Sequence, residues 1–331
     1  MKRRPGTGQG VGVTSSLIEY RTFRNNDPPQ ITALWNEGGL GQGAAEPLTP
    51  DAFEIACFSR PYFDRAGLIV AHEGARIVGF AHAGFAVRPD HQNLDFETGV
   101  ICAVIVHPSF RRQGIGRELV RQAEDYLQSR GVQTIFAGPS PGRDPFYVGI
   151  YGGCQPAGFL ESDPASTPFF TALGYEIAER HLIYYRENGA TNPPVDFRQM
   201  AVRRKTQLAV VDGAQKQDWW WNARYGILDS IRFALIPKDS TTPLAIATVV
   251  GLDFYFPKLQ QRAVGITDIM VIGEDNGNAY DEILLSVVCK RMRQDLVTHL
   301  EIHAREDDVH RRKIIEASGF TPADAGTVFR K

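Results

Sequence analysis

The stretch HPSFRRQGIGRELV, residues 107–120, decides the fold. Ahead of it, residues 98–107 form a nearly all-apolar run, the signature of a central strand buried on both faces. Behind it, Ile115, Leu119, Val120, Ala123 and Leu127 recur at helical spacing on one face. The join between strand and helix holds Arg111, Arg112, Gln113, Gly114, Gly116 and Arg117. Backbone N–H groups at a helix N-terminus lack intrahelical partners, and the helix dipole favours negative charge there. Gly114 and Gly116 place no side chain in the way of a ligand, and the arginines add positive charge. Such a loop suits a pyrophosphate. Its spacing is neither that of a Walker A loop nor that of the dinucleotide fingerprint, and several strands precede it instead of none.

Outward from this loop, the chain reads as a mixed α/β protein. Upstream lie a strand at 16–24, helices at 30–37 and 50–65, and two apolar runs, GLIVAHE and RIVGFAHAGFAV, joined as a hairpin at Glu73-Gly74. Downstream, Gly131 stops the helix, 133–137 is a further strand, and a long Gly/Pro-rich loop precedes a short helix at 166–173 and a closing strand that ends at Arg186. The polar, proline-bearing stretch 188–196 is a linker. The order then repeats: strand 197–211, helix 214–225, a hairpin of 230–236 with 244–252, strand 265–272, helix 280–296, strand 300–304 and helix 309–318.

The two halves also register by number. Val106 to Leu119 spans 13 positions, as does Val271 to Leu284, and the same offset of 165 carries Ile135 onto Leu300. The register breaks beyond that strand, where the first half runs 37 positions from Ala137 to Gly174 and the second only 17 from Ile302 to Gly319. A repeat this long points to two copies of one domain. The expected organisation is a disordered tail at 1–15, a domain at 16–187, the linker at 188–196 and a second domain at 197–331. In the second copy the loop reads IGEDNGNAYDEILL, residues 272–285, with Asn276, Gly277, Asn278, Ala279 and Asp281 where the first copy has Arg111, Arg112, Gln113, Gly114 and Gly116, and Glu274, Asp275, Asp281 and Glu282 make it acidic. Carboxylates at a helix N-terminus complete the dipole themselves and repel phosphate. That copy is expected not to bind the same ligand.

RRQGIG, with VIVHP just ahead of it, resembles the R/Q-x-x-G-x-G/A acyl-CoA signature of the GNAT acetyltransferase family. The resemblance covers nearly the whole chain, from the helix pair after the first strand to the closing TALGYE. It implies two tandem GNAT folds, each a mixed and largely antiparallel sheet flanked by helices, the second degenerate. It implies acetyl-CoA as cosubstrate, with Val104, Ile105 and Val106 pairing the pantetheine arm. Arg111, Arg112, Gln113, Gly114, Ile115, Gly116 and Arg117 would hold the pyrophosphate. The reaction implied is direct transfer of an acetyl group to the amine of a small molecule or peptide. A CoA-binding regulatory or structural protein without turnover is the alternative.

Such a transfer needs a neutral amine and a stabilised thiolate leaving group. The resemblance would place a tyrosine acid four residues before Gly174, where this chain has Phe170. It would place a glutamate base on the strand that here reads Val100, Ile101, Cys102, Ala103. Tyr151 and Tyr147, in the extra loop, are therefore the candidate acids, Tyr151 first, and Glu97 a candidate base acting through water. Asp144, Glu161 and Asp163 are candidate partners for the amine, and ordinary loop packing is the competing reading for each. Cys154 reads as a buried thiol, His107 as a loop-structuring residue, and the run Trp219-Trp220-Trp221 as core packing with one ring free for the inter-domain groove. His303, Arg305 and His310 match no metal spacing, and no metal is expected.

With 36 Lys and Arg against 38 Asp and Glu, the charge balance gives no reason to expect nucleic acid or a membrane surface as partner. Four dispersed cysteines suggest no disulfide framework and fit a reduced, cytoplasmic setting. No segment approaches the roughly 18 apolar residues of a spanning helix. A monomer, as a pseudo-dimer of two domains, and a homodimer are both compatible with the repeat.

Overall fold

The structure, a computed structural model, describes residues 17–189, 197–211, 218–273, 277 and 279–331. The tail expected at 1–15, most of the linker, and Glu274, Asp275, Asn276 and Asn278 of the second loop lie outside these residues.

The first half runs β1 (Ile18–Thr22), α1 (Pro28–Glu37), α2 (Pro50–Phe53), β2 (Leu68–Glu73), β3 (Arg76–Val87), β4 (Leu94–Val106), α3 (Ile115–Ser129), β5 (Thr134–Ala137), β6 (Phe159–Leu160), α4 (Ser166–Thr171) and β7 (Glu176–Glu187). The second runs α5 (Phe197–Lys205), β8 (Thr206–Val210), α6 (Trp219–Tyr225), β9 (Ser230–Pro237), β10 (Ala245–Gly251), α7 (Phe256–Leu259), β11 (Ala263–Val271), α8 (Tyr280–Gln294), β12 (His299–Arg305), α9 (Val309–Ala317) and β13 (Thr321–Arg330). Three sequence expectations change. The helix expected over 50–65 continues only as a π-helical turn to Phe58, because Pro61 disfavours helical backbone at Arg60. The segment 197–211 opens as a helix rich in Arg, Lys, Gln and Met before turning into β8. Strand β13 was not expected at all, since TPADAGTVFR opens on residues that disfavour strands.

All the strands belong to one sheet, in the order β1-β2-β3-β4-β5-β13-β7-β12-β11-β10-β9-β8, with β6 beside β13. Each half lends its last strand to the other. Strand β7 pairs β12 from His299↔Glu187 to Arg305↔His181, and β13 reaches back to β5 at Phe329↔Ala137. The two borrowed strands pair with each other along nearly their full length.

The offset of 165 seen in the sequence is reproduced in the backbone. Strands β4 and β5 run parallel from Thr98↔Thr134 to Ile101↔Ala137, and β11 and β12 from Ala263↔His299 to Ile266↔Ile302. Helix α3 starts at Ile115 and α8 at Tyr280, again 165 positions apart. The loops ahead of them repeat their left-handed residues: Arg112 (φ 65°) and Gly114 (φ 87°) in the first, Gly277 (φ 75°) and Ala279 (φ 55°) in the second.

Helices α3 and α8 cover one face of the sheet, each over its own apolar cluster. The opposite face carries a core common to both halves, in which Phe53, Phe80 and Ile150 join Tyr225, Leu252 and Tyr255. The extra loop of the first half supplies Phe146, Tyr147, Val148, Ile150 and Cys154 to that core, so it is packed between the halves and does not overhang them. Helix α6 docks on the first half: the buried Trp220 packs against Tyr62, and Arg60 donates to the Ala223 and Arg224 carbonyls. Burial of one such aromatic side chain contributes roughly 1.5–3 kcal/mol. Trp221 stacks on Tyr225 and Trp219 is partly exposed. No helix among the described residues is long and apolar enough to cross a membrane.

Candidate active site

Parallel pairing of β4 with β5 stops at Ile101 and Ala137, and from there the strands diverge. At the point of divergence β3 and β4 lose register: His82 faces Ala103 and Ala83 faces Ile101, which leaves Cys102 as an extra residue in β4. A bulge of this kind leaves the extra residue outside the ladder and bends the strand. Beyond it, Val104, Ile105 and Val106 pair only with β3 on one side and present an open edge on the other.

At the end of that edge lies the loop before α3. Arg112, Gln113, Gly114 and Arg117 are exposed, and Ile115 is buried beneath them. A Cβ at Gly114 would meet no atom within 4 Å, so the approach to the helix N-terminus is open. Gly116 differs, since a Cβ there would stand 3.3 Å from the Phe169 ring. Arg111 is turned inward: its Nε donates to the Val106 carbonyl at 3.0 Å and its other end to that of Gly38, tying the loop to α1. His107 accepts from the Ser109 N–H at 3.2 Å through Nδ1, the structuring role its place before Pro108 suggests.

The candidate catalytic residues are not brought together. Glu97 is exposed near the start of β4, five residues before the bulge and so roughly 16 Å along an extended strand. Tyr151 accepts from the Leu160 N–H at 3.3 Å within the loop, and burial pushes its hydroxyl well above the ordinary tyrosine value. Tyr147 lies nearest the bulge. Its hydroxyl is 2.9 Å from His82 Nδ1, its ring stacks on Trp35, and burial keeps the phenol protonated far above neutral pH. Phe170 points away into the core between Phe159 and Phe329, so Phe169 is the ring of α4 beside the signature loop.

Two residues on this face were not singled out in the sequence. His82 is fully buried, stacks on Phe146 at 4.0 Å, and contacts Cys57 Sγ at 3.5 Å. Burial pushes its imidazole down to about 3, and its Nε2 has no hydrogen-bond partner among the described residues. Its signal was a lone polar residue in the apolar run RIVGFAHAGFAV. Arg224 forms a buried ion pair with Asp144, whose carboxyl burial pushes up to about 6 and whose Oδ1 has no hydrogen-bond partner among the described residues. Of the other acidic candidates, Glu161 is taken up by Arg180 at 2.6 and 2.8 Å, and Asp163 accepts from the Ala165 N–H.

Cys154, Glu301 and His303 place their ligand-type atoms within 4.8 Å of one another, all buried. Their mutual hydrogen bonds account for this closeness: Glu301 Oε1 accepts from the Cys154 N–H at 2.6 Å and from His303 Nε2 at 2.8 Å. These bonds hold the Glu301 carboxyl below its ordinary value despite burial. The group therefore stabilises the fold at pH above the unfolded-state value near 4.5, and that contribution is lost as pH falls through the lower folded value. Glu301→Gln is expected to cost roughly 2–4 kcal/mol in denaturant unfolding at pH 7, because the amide turns a donor toward donors. The variant should also lose part of the wild-type decline in stability below about pH 4.5, and unchanged stability at pH 7 would refute the role.

A family model for the acetyltransferase (GNAT) family matches residues 40–148. No curated protein matches the chain. Among solved structures, it is similar to a tandem GNAT protein from the clavulanic acid biosynthesis pathway, with a TM-score of 0.63 at 15% identity over 95% of this chain and 98% of that one. It is similar to a GCN5-related N-acetyltransferase from Sphaerobacter thermophilus, with a TM-score of 0.60 at 13% identity over 95% of both chains. A glucosamine N-acetyltransferase region of a fungal multi-domain β-N-acetylglucosaminidase aligns with a TM-score of 0.69 at 15% identity, over 96% of this chain and 38% of that one.

Proposed function

We propose that this chain is a tandem member of the GNAT superfamily whose first cleft takes acetyl-CoA and transfers the acetyl group to the amine of a small molecule or peptide. The observation that carries this reading is the joining of three features along β4: the bulge at Cys102, the open edge at Val104 to Val106, and the exposed loop at the N-terminus of α3. The open edge would pair with the pantetheine amides. Arg112, Arg117 and the backbone N–H groups of Gln113, Gly114, Ile115 and Gly116 would surround the pyrophosphate. Arg111 positions the loop through Val106 and Gly38. The second cleft has Ala279 and Asp281 where the first has Gly114 and Gly116, so it is not the acetyl-CoA site.

The cosubstrate supplies a thioester. A carbon–nitrogen bond forms, the carbon–sulfur bond breaks, and the proton lost by the amine is matched by one gained at sulfur. Tyr147, protonated and beside the bulge, is the donor this chain offers for that proton, with His82 orienting its hydroxyl. Tyr151 and Glu97 shape the site from further away. A thiol-release assay over amines, polyamines, amino acids and peptide N-termini tests the reading. Tyr147→Phe should lower kcat by about 10- to 100-fold and leave the acetyl-CoA KM unchanged. Acetyl-CoA binding with no turnover of any acceptor would favour the regulatory alternative, to which the hydroxyl-free Phe169 and Phe170 already lend weight.

A further inference from the structure

The cleft of the second half is a differently built site. Strands β11 and β12 diverge beyond Ile266 and Ile302, and Thr267 is the bulged residue there, 165 positions after Cys102. At this divergence opens a pocket of about 280 Å³. Arg143 and Gln155 reach it from the extra loop of the first half, Glu179 and His181 from the borrowed strand β7, and the second half completes it.

Most of the charge around the pocket is already paired. Glu179 takes Arg143 and His181, and Arg305 takes Asp307. Asp308 accepts from the Arg311 N–H as the cap of α9. What remains is a complementary set. The guanidinium of Arg311 donates through Nε to the His303 carbonyl at 3.3 Å, and its two terminal nitrogens have no partner among the described residues. Asp268, exposed at the pocket, accepts from the Thr248 N–H through Oδ1, and among the described residues its second oxygen has no hydrogen bond and it forms no ion pair within 4 Å, although its charge acts on Arg311. His303 is 3% exposed and pairs through Nε2 with Glu301; in the tautomer that carries its proton on Nε2, Nδ1 is an acceptor, and it is buried without a partner among the described residues. A buried acceptor left empty is costly, and His303 is one of the residues that line the pocket.

We infer that the second cleft binds a small zwitterion of the α-amino-acid type, its carboxylate on Arg311 and its ammonium between His303 Nδ1 and Asp268. A simple anion would leave the His303 acceptor unmet and would meet the Asp268 carboxylate. A simple amine would leave Arg311 unmet. A pocket lined by the Arg311 cation on one hand and by the acceptors His303, Asp268 and Asp308 on the other suits a ligand charged at both ends, and its volume admits a compact molecule.

The full chain, titrated calorimetrically with a panel of α-amino acids, tests this. At least one should bind saturably, and its deaminated acid and decarboxylated amine should each bind about tenfold more weakly or worse. Arg311→Gln and Asp268→Asn should each lower affinity by about tenfold or more. The second keeps the bond to Thr248, so it stays folded if the first does not, and melting curves report this. Acetyl-CoA affinity, measured on the same samples, should hold within about twofold, which separates this site from the one proposed in the first half. The inference fails if no amino acid binds, if the lone acid or inorganic phosphate binds as well as the zwitterion, if both variants bind as the wild type does, or if acetyl-CoA competes.

Discussion

Arg112→Glu with Arg117→Glu is expected to weaken acetyl-CoA binding by about 100-fold or more and to leave the melting temperature almost unmoved. Both side chains are exposed, and neither has a hydrogen bond or ion pair within the protein among the described residues. Their removal therefore leaves nothing unsatisfied in the fold. A charge-assisted bond contributes about 1.5–3 kcal/mol, so two of them amount to roughly two orders of magnitude or more, before the repulsion added by the glutamates. Arg111→Ala is the contrasting change. It releases the Val106 and Gly38 carbonyls and should lower stability along with affinity. Isothermal titration with acetyl-CoA decides the matter: an affinity for the double variant within a few-fold of wild type would remove the pyrophosphate reading of the loop.

Fragments 1–189 and 197–331, expressed separately, are expected not to fold, and expressed together to form a one-to-one complex. The first fragment would lack β13, which closes β5 and covers β6, and would present β7 with both its partners missing. The second would lack β7 beside β12. Each would also expose its side of the common core, and Asp144 and Arg224 would lose each other. A charge kept buried without its partner costs roughly 3–5 kcal/mol, a large share of a domain's total stability, so neither fragment can keep its half of the pair packed as it is in the whole chain. Circular dichroism and cooperative thermal unfolding are the readouts. A fragment that melted cooperatively as a monomer would show that the exchange of strands is dispensable.

Much of the fold was legible because it rests on local signals. The apolar run at 98–107, the two glycines and the helical face after them gave β4, the loop and α3, and the offset of 165 gave the second copy with its register intact. The strand exchange was not legible. The pattern in residues 176–187 announces a strand but carries no mark of which neighbour it pairs with, and β13 opens with Pro322, Asp324 and Gly326. The site divides along the same line. Arg112, Gly114 and Arg117 lie where the loop chemistry suggested, exposed at a helix N-terminus. His82 and Arg224 act through residues 25 to 164 positions away in sequence, and spacing cannot report such partners.

The borrowed strand also sets a timetable. Strand β5 ends at Ala137, but the strand that lies against it begins at Thr321, 184 residues later. At about 5–20 residues per second, a ribosome needs roughly 10–40 s to make that stretch. Throughout that interval the nascent first half has an open edge in the middle of its future sheet, where a stray strand from another chain could dock. A cell making this protein must tolerate or shield that edge until translation nears the end of β13, so the yield of folded protein should respond to chaperone supply and to growth temperature more than its final stability would suggest.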